Sequence, residues 1–127
     1  MLGFFTSKKN KKPVEVTDEN FNEIIYNSEL PVLLDFYATW CQPCHVMISL
    51  INRLAKEEEV QGKTVIAKVD INANPGLTKH FHIKSVPTLL FIHKNKVYER
   101  HMGLLPYMEL KQKLLEFAEN IEHLDLE

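Results

Sequence analysis

The chain holds two cysteines, Cys41 and Cys44, two residues apart in Trp40-Cys41-Gln42-Pro43-Cys44-His45. A single close pair in a chain of this size points to redox or metal chemistry, not to a disulfide scaffold. Before the pair runs Pro31-Val32-Leu33-Leu34-Asp35-Phe36-Tyr37-Ala38, an apolar stretch of strand length broken by one acid. After it, Val46, Met47, Leu50, Ile51, Leu54 and Ala55 recur at helical spacing. Strand, short turn and helix would put both sulfurs at a helix N-terminus, where backbone N–H groups point outward and favour negative charge. The thiolate is the nucleophile of thiol–disulfide exchange, so Cys41, first in the pair, is the candidate attacking group. Its pKa is expected below the roughly 8.5 of a free thiol. Cys44, nearly one helical turn on, would attack Cys41 in turn and release the substrate. Pro43 would stiffen the turn and keep the sulfurs close.

The same residues spell two other chemistries. Cys41 to His45 completes a C-x-x-C-H string, the attachment motif of c-type haem. Chance explains it better, because the pair fits a strand-to-helix turn. Structural zinc needs about four ligands, and only two cysteines exist. No metal site is therefore assigned.

The segment Leu34-Asp35-Phe36-Tyr37-Ala38-Thr39-Trp40-Cys41-Gln42-Pro43-Cys44 resembles the active-site segment of the thioredoxin family, whose usual form is WCGPCK. Val69-Asp70-Ile71-Asn72-Ala73-Asn74-Pro75-Gly76, then Ser85-Val86-Pro87-Thr88-Leu89-Leu90-Phe91, then Gly103, match its other signature positions, and the likeness spans roughly Val14 to Glu119. The resemblance implies that Asp35 lies beneath the cysteines and takes a proton from Cys44, with Lys68 tempering its burial. It implies a cis Val86-Pro87 bond opposite the cysteines, turning Val86 backbone groups toward an extended client segment. It places Trp40, Gln42, Pro43, Ile71, Val86, Pro87, Met102 and Gly103 around the nucleophile as the substrate-binding surface, Gly103 by allowing close backbone approach. It also implies a Cys41–Cys44 disulfide in the oxidised state, disulfide-containing client proteins, no bound cofactor, and electrons from NADPH through a thioredoxin reductase. Two positions depart from the family. Gln42 replaces its Gly, leaving the reduction potential open. His45 replaces its Lys, to act as an imidazolium near Cys41 or simply to face solvent. Ser49 stands where the family often has a helix-kinking proline, which predicts a straighter helix.

The elements that must position these residues follow along the chain. Met1 to Pro13, with Lys8, Lys9, Lys11 and Lys12, reads as a loose solvated extension ahead of one domain over 14–127. Val14-Glu15-Val16 alternates as a short strand. Thr17 or Asp18 can cap a helix carrying Phe21, Ile24 and Ile25. The helix after the cysteines is expected to run to Gln61-Gly62-Lys63. Thr64 to Asp70 reads as a second buried strand, and Asn74-Pro75-Gly76 opens a short helix to about Phe81. Strand–helix–strand–helix order implies parallel pairing. Thr88–Ile92 and Lys96–His101, joined by His93-Lys94-Asn95, predict an antiparallel hairpin in which Asn95 supplies any positive φ. Pro106 to about Ile121 completes the chain as an amphipathic helix. The sum is an α/β thioredoxin fold: a mixed sheet of about five strands with about four helices on both faces.

With 127 residues, 45% of them hydrophobic, the chain can bury a sizeable core, and a formal charge of −2 suggests no nucleic-acid partner. No apolar run approaches the roughly 20 residues that span a bilayer, and no signal-peptide core precedes the lysines. The simplest reading is a cytoplasmic, monomeric protein-disulfide reductase. The alternatives are an exported or specialised relative with few clients, and a non-catalytic binding module; retention of both cysteines, Asp35 and Pro87 argues against the module. A visible absorption spectrum of the purified protein tests the haem alternative: no Soret band is expected.

Overall fold

A computed structural model describes residues 12–126; the lysine-rich stretch up to Lys11 lies outside the described residues. The sheet orders its strands β1-β3-β2-β4-β5. They are β1 (Val14–Glu15), β2 (Val32–Tyr37), β3 (Val65–Asp70), β4 (Thr88–His93) and β5 (Lys96–Met102). β2 pairs parallel with β3 and antiparallel with β4, so it sits at the centre, and all but its last residue are buried. Such a strand reads as a continuous apolar run because both of its faces are covered.

Alternate residues of β2 feed two cores. Leu33 packs with Met47, Ile51 and Leu54 of helix α2 (Gln42–Leu54) and with Leu110 and Leu114 of helix α4 (Tyr107–Leu126). Leu34 and Phe36 pack on the other face with Ile25 of the short helix α1 (Asn22–Tyr26) and with Leu77 of helix α3 (Pro75–His80). Asp35 therefore points to the α2 face, two residues beyond Leu33. The sheet and helix layers match those expected.

Several details differ from the sequence-based expectation. α1 is a π-helical turn, in which the Asn27 N–H donates to the Asn22 carbonyl five residues back, and no side chain caps it. Thr17 instead exchanges hydrogen bonds with Asn20. Asp18 crosses to α3, accepting from the N–H of Gly76 at 3.1 Å and of Leu77 at 2.9 Å. Its own N–H donates to Asn74 Oδ1 at 2.9 Å. α2 is continuous through Ser49 but ends at Leu54, not near Gln61. Beyond it the bonds tighten, Lys56 N–H to Arg53 and Glu57 N–H to Leu54, and turns carry the chain to Gly62 at φ +79°. The hairpin turn sets both Lys94 (φ 50°) and Asn95 (φ 66°) at positive φ, so Asn95 does not act alone. α4 outlasts its apolar pattern by five residues, since nothing between Ile121 and Leu126 breaks a helix.

The Asp18 clasp is a charged cap on the N–H groups at the start of α3, supplied from 58 residues away. Asp18→Ala should lower unfolding free energy by about 1–2 kcal/mol in urea titration, whereas the same change at exposed Glu19 should leave it nearly unchanged.

Candidate active site

β2 delivers the chain through Tyr37 and Ala38 to an exposed Thr39-Trp40 corner, and α2 begins at Cys41. Cys41 is the N-cap residue, in extended conformation, and its Sγ accepts the N–H of Cys44 at 3.2 Å. A sulfur thus fills the place usually held by a serine or aspartate oxygen. Pro43 stands in the first turn, where its missing N–H costs no helical bond. The two cysteines are joined as a disulfide with Cα atoms 5.2 Å apart. They are not equivalent: Cys44 is fully buried, whereas Cys41 reaches the surface at 6% exposure. Ala38 packs with both, and Tyr37, Ile71 and Val86 close around them.

Cys41 opens on a cleft of about 480 Å³ lined by Trp40, Gln42, Pro43, Ile71, Ile83, Lys84, Ser85 and Val86. The Val86-Pro87 bond is cis, and the Val86 carbonyl oxygen lies 3.8 Å from Cys41 Sγ. Trp40 is 71% exposed, with its indole N–H donating to Asn72 Oδ1 at 3.2 Å. Met102, 64% exposed, pairs with Thr88 at the near end of β5, and Gly103 donates its N–H to the Pro87 carbonyl at 2.9 Å. Within the chain, Gly103 answers a backbone demand. Nothing lies within 4 Å of where its Cβ would be, so space is not the constraint; φ of +96° is.

Sequence reasoning missed Ile83, Lys84 and Ser85 in this wall. The loop has no motif of its own, although the Ser85 carbonyl accepts from the Thr88 hydroxyl at 2.7 Å next to the recognised Pro87. For His45 the structure matches the solvent-facing reading. It is exposed, with Nε2 2.8 Å from the Thr39 carbonyl oxygen, which holds the ring against the corner before Trp40.

In β2, six residues before Cys41, lies Asp35, fully buried, with no hydrogen-bond partner for either carboxyl oxygen among the described residues. It pairs with Lys68 on β3 and with Leu89 on β4. α2 returns over this face with Met47 and Ile51 above Leu33, so Cys44, one turn earlier, is carried toward the Asp35 end of β2. Burial holds the Asp35 carboxyl well above the usual carboxylate range, and the positive charge of Lys68 offsets part of that effect. Lys68, half-buried, puts its ammonium 3.8 Å from Glu15 Oε1 on β1 and 5.5 Å from the Tyr37 ring centroid. The Tyr37 hydroxyl donates to Glu15 Oε2 at 2.9 Å.

A CxxC disulfide at a helix N-terminus, a buried acid in the strand that leads to it and a cis-proline loop beside it define a thiol–disulfide oxidoreductase on a thioredoxin fold. The thioredoxin family profile matches residues 12–116. The chain is 40% identical over 103 residues to thioredoxin C-3 of Corynebacterium nephridii, covering 81% of this chain and 69% of that protein. It is 38% identical over 103 residues to a thioredoxin of Chlorobaculum thiosulfatiphilum, covering 81% and 94% of the two chains. The solved structure of a mutant thioredoxin from Halobacterium salinarum superposes with a TM-score of 0.76 at 25% identity, over 87% of this chain and 95% of that one. The chain belongs to the thioredoxin family. Its activity is that of a protein-disulfide reductase. Proteins of this family work without a bound cofactor, on disulfide-containing substrates and with a reductase partner. Among the described residues no group of three or more His, Cys, Asp or Glu side chains is placed to hold a metal, and no helix is long and apolar enough to cross a membrane.

The buried acid makes stability fall with pH. The folded state keeps the Asp35 proton to a higher pH than the unfolded chain, whose aspartates ionise near 4. Stability from this group is complete below about pH 4 and is lost as pH rises toward the folded-state value, at about 1.4 kcal/mol per pH unit across that window. Asp35→Asn has no such proton to lose. Denaturant titrations over the pH range should show the substituted protein overtaking the native one as pH rises, the gap closing toward pH ~4.

Proposed function

We propose that Cys41 is the attacking sulfur and Cys44 the resolving one, with Asp35 as the proton acceptor that activates Cys44. The observation that carries this reading is the Cys44 N–H aimed at Cys41 Sγ at 3.2 Å. In the dithiol state that donor and the helix start favour a thiolate on Cys41, the sulfur that reaches the cleft. The Cys41 thiolate attacks one sulfur of a client disulfide; a Cys41–client bond forms, and the other client sulfur leaves as a thiolate. Cys44 then gives its proton to Asp35 and attacks Cys41 Sγ. The mixed disulfide breaks, the second client sulfur leaves as a thiolate, and the Cys41–Cys44 disulfide remains. Two electrons have passed to the client. Asp35 suits the step because a carboxyl held above its ordinary range is a stronger base than a surface aspartate.

In this reading the client lies extended across Trp40, Gln42, Pro43 and Ile71, along the cis Val86-Pro87 loop and beside Met102 and Gly103. Backbone groups of Val86 bond it as an added strand would. Lys68 moderates the burial of Asp35. We place the protein in the cytoplasm as a monomer, recharged by NADPH through a thioredoxin reductase, with the bacterial thioredoxins it resembles as support.

Insulin reduction in the presence of dithiothreitol tests the assignment. Cys41→Ser should bring the rate down to that of dithiothreitol alone, and Cys44→Ser should accumulate a client-linked mixed disulfide. Alkylation of the reduced protein should titrate Cys41 with a midpoint below about 8.5, and a midpoint above about 9 would overturn the assignment. Asp35→Asn should slow release of the mixed disulfide, and unchanged turnover over roughly pH 6 to 9 would remove Asp35 from the scheme.

A further inference from the structure

A buried acid with one nearby cation is ordinarily paired to it; here it is not. Both Asp35 oxygens lack a partner among the described residues, although Lys68 is its direct neighbour across the β2–β3 ladder. The Lys68 ammonium goes instead to Glu15, the residue paired with Lys68 on its other side in β1. The Tyr37 hydroxyl holds the second Glu15 oxygen, and the ammonium stands over the Tyr37 ring. Three strands thus supply a carboxylate, a phenol and an ammonium that engage one another beside a carboxyl they leave unbonded.

We propose that Glu15 is a positioning residue for the exchange reaction: by drawing the Lys68 ammonium to itself, it sets how readily Asp35 gives up and takes back its proton. The inference rests on the reading that Asp35 accepts the Cys44 proton. The other groups around Asp35 leave Glu15 and Lys68 as the tunable pair. On β4 its neighbour is the apolar Leu89. α2 brings Cys44 and Cys41, which carry no charge while joined. On its own strand Tyr37 keeps its proton, because burial and the Glu15 carboxylate hold the phenol above its ordinary range, with Asp70 paired to it on β3. Lys68 can then serve Glu15 or Asp35. A cation within ~4–6 Å lowers a carboxyl pKa by about 1–3 units, so its allegiance matters to the buried acid.

Glu15→Gln separates charge from structure, since a glutamine oxygen still accepts the Tyr37 hydroxyl while the attraction for Lys68 is lost. Carbon-13 NMR titration of the Asp35 carboxyl in the oxidised full-length protein should show its midpoint moved to lower pH by roughly one unit. In a Lys68→Met background the same change should move the midpoint by well under half as much, leaving only direct repulsion between the two acids. An unmoved midpoint overturns the inference, and so does an equal movement with and without Lys68. The same shift to lower pH should appear in insulin reduction as an ascending limb displaced by that amount. If the carboxyl midpoint moves while the limb stays fixed, the control of the Asp35 proton by Glu15 and Lys68 stands, and the proton-accepting role of Asp35 is what fails.

Discussion

Everything in the active site descends from the way α2 begins: on a sulfur, with the Cys44 N–H donated to Cys41 Sγ, at the end of a strand buried on both faces. The first turn of any helix leaves N–H groups in want of an acceptor, and a serine, threonine, asparagine or aspartate oxygen normally answers. With a cysteine in that position the same demand falls on a group that can change its charge and its covalent partner. Cys44 then lies three residues on, within disulfide reach but out of the solvent. The asymmetry between an edge sulfur and a buried one is a property of helix geometry before it is a property of redox chemistry.

The second constraint is electrostatic. Asp35 is the only acid in β2 and occupies a layer otherwise filled by Leu33, Met47 and Leu89. An uncompensated carboxyl in such a layer costs several times what one hydrophobic contact returns, and the protein avoids most of that cost by keeping the proton. Burial itself is what holds that proton in place.

The parts of the molecule legible in the sequence are those set by local pattern. The apolar run of β2, the helical spacing from Met47 to Leu54 and the CxPC turn each declare their structure within a dozen residues. The VPT motif and the existence of the β4–β5 hairpin do the same, though its turn is two residues and not three. What could not be read depends on residues far apart in the chain. Asp18 looks like the cap of the helix that follows it, yet its oxygens serve Gly76 and Leu77. Lys68 looks like a partner for Asp35, yet it turns to Glu15, because β1 docks beside β3 and not beside β2. α2 stops early because tighter turns take over after Leu54, in a stretch without the proline or glycine that would have announced it.

The sheet order carries a further consequence for how the chain comes together. β1 is made before the other strands of the sheet, but among the described residues its only neighbour is β3, whose partner residues lie more than fifty positions later, at Ala67 and Lys68. Val14 and Glu15 therefore have no strand to pair with until β3 has been made. Its docking supplies Glu15 and, through Asp18, clamps the helix preceding the cis-proline loop. Residues made before the cysteines thus reach their places in the sheet only after the cysteines and β3 have been made.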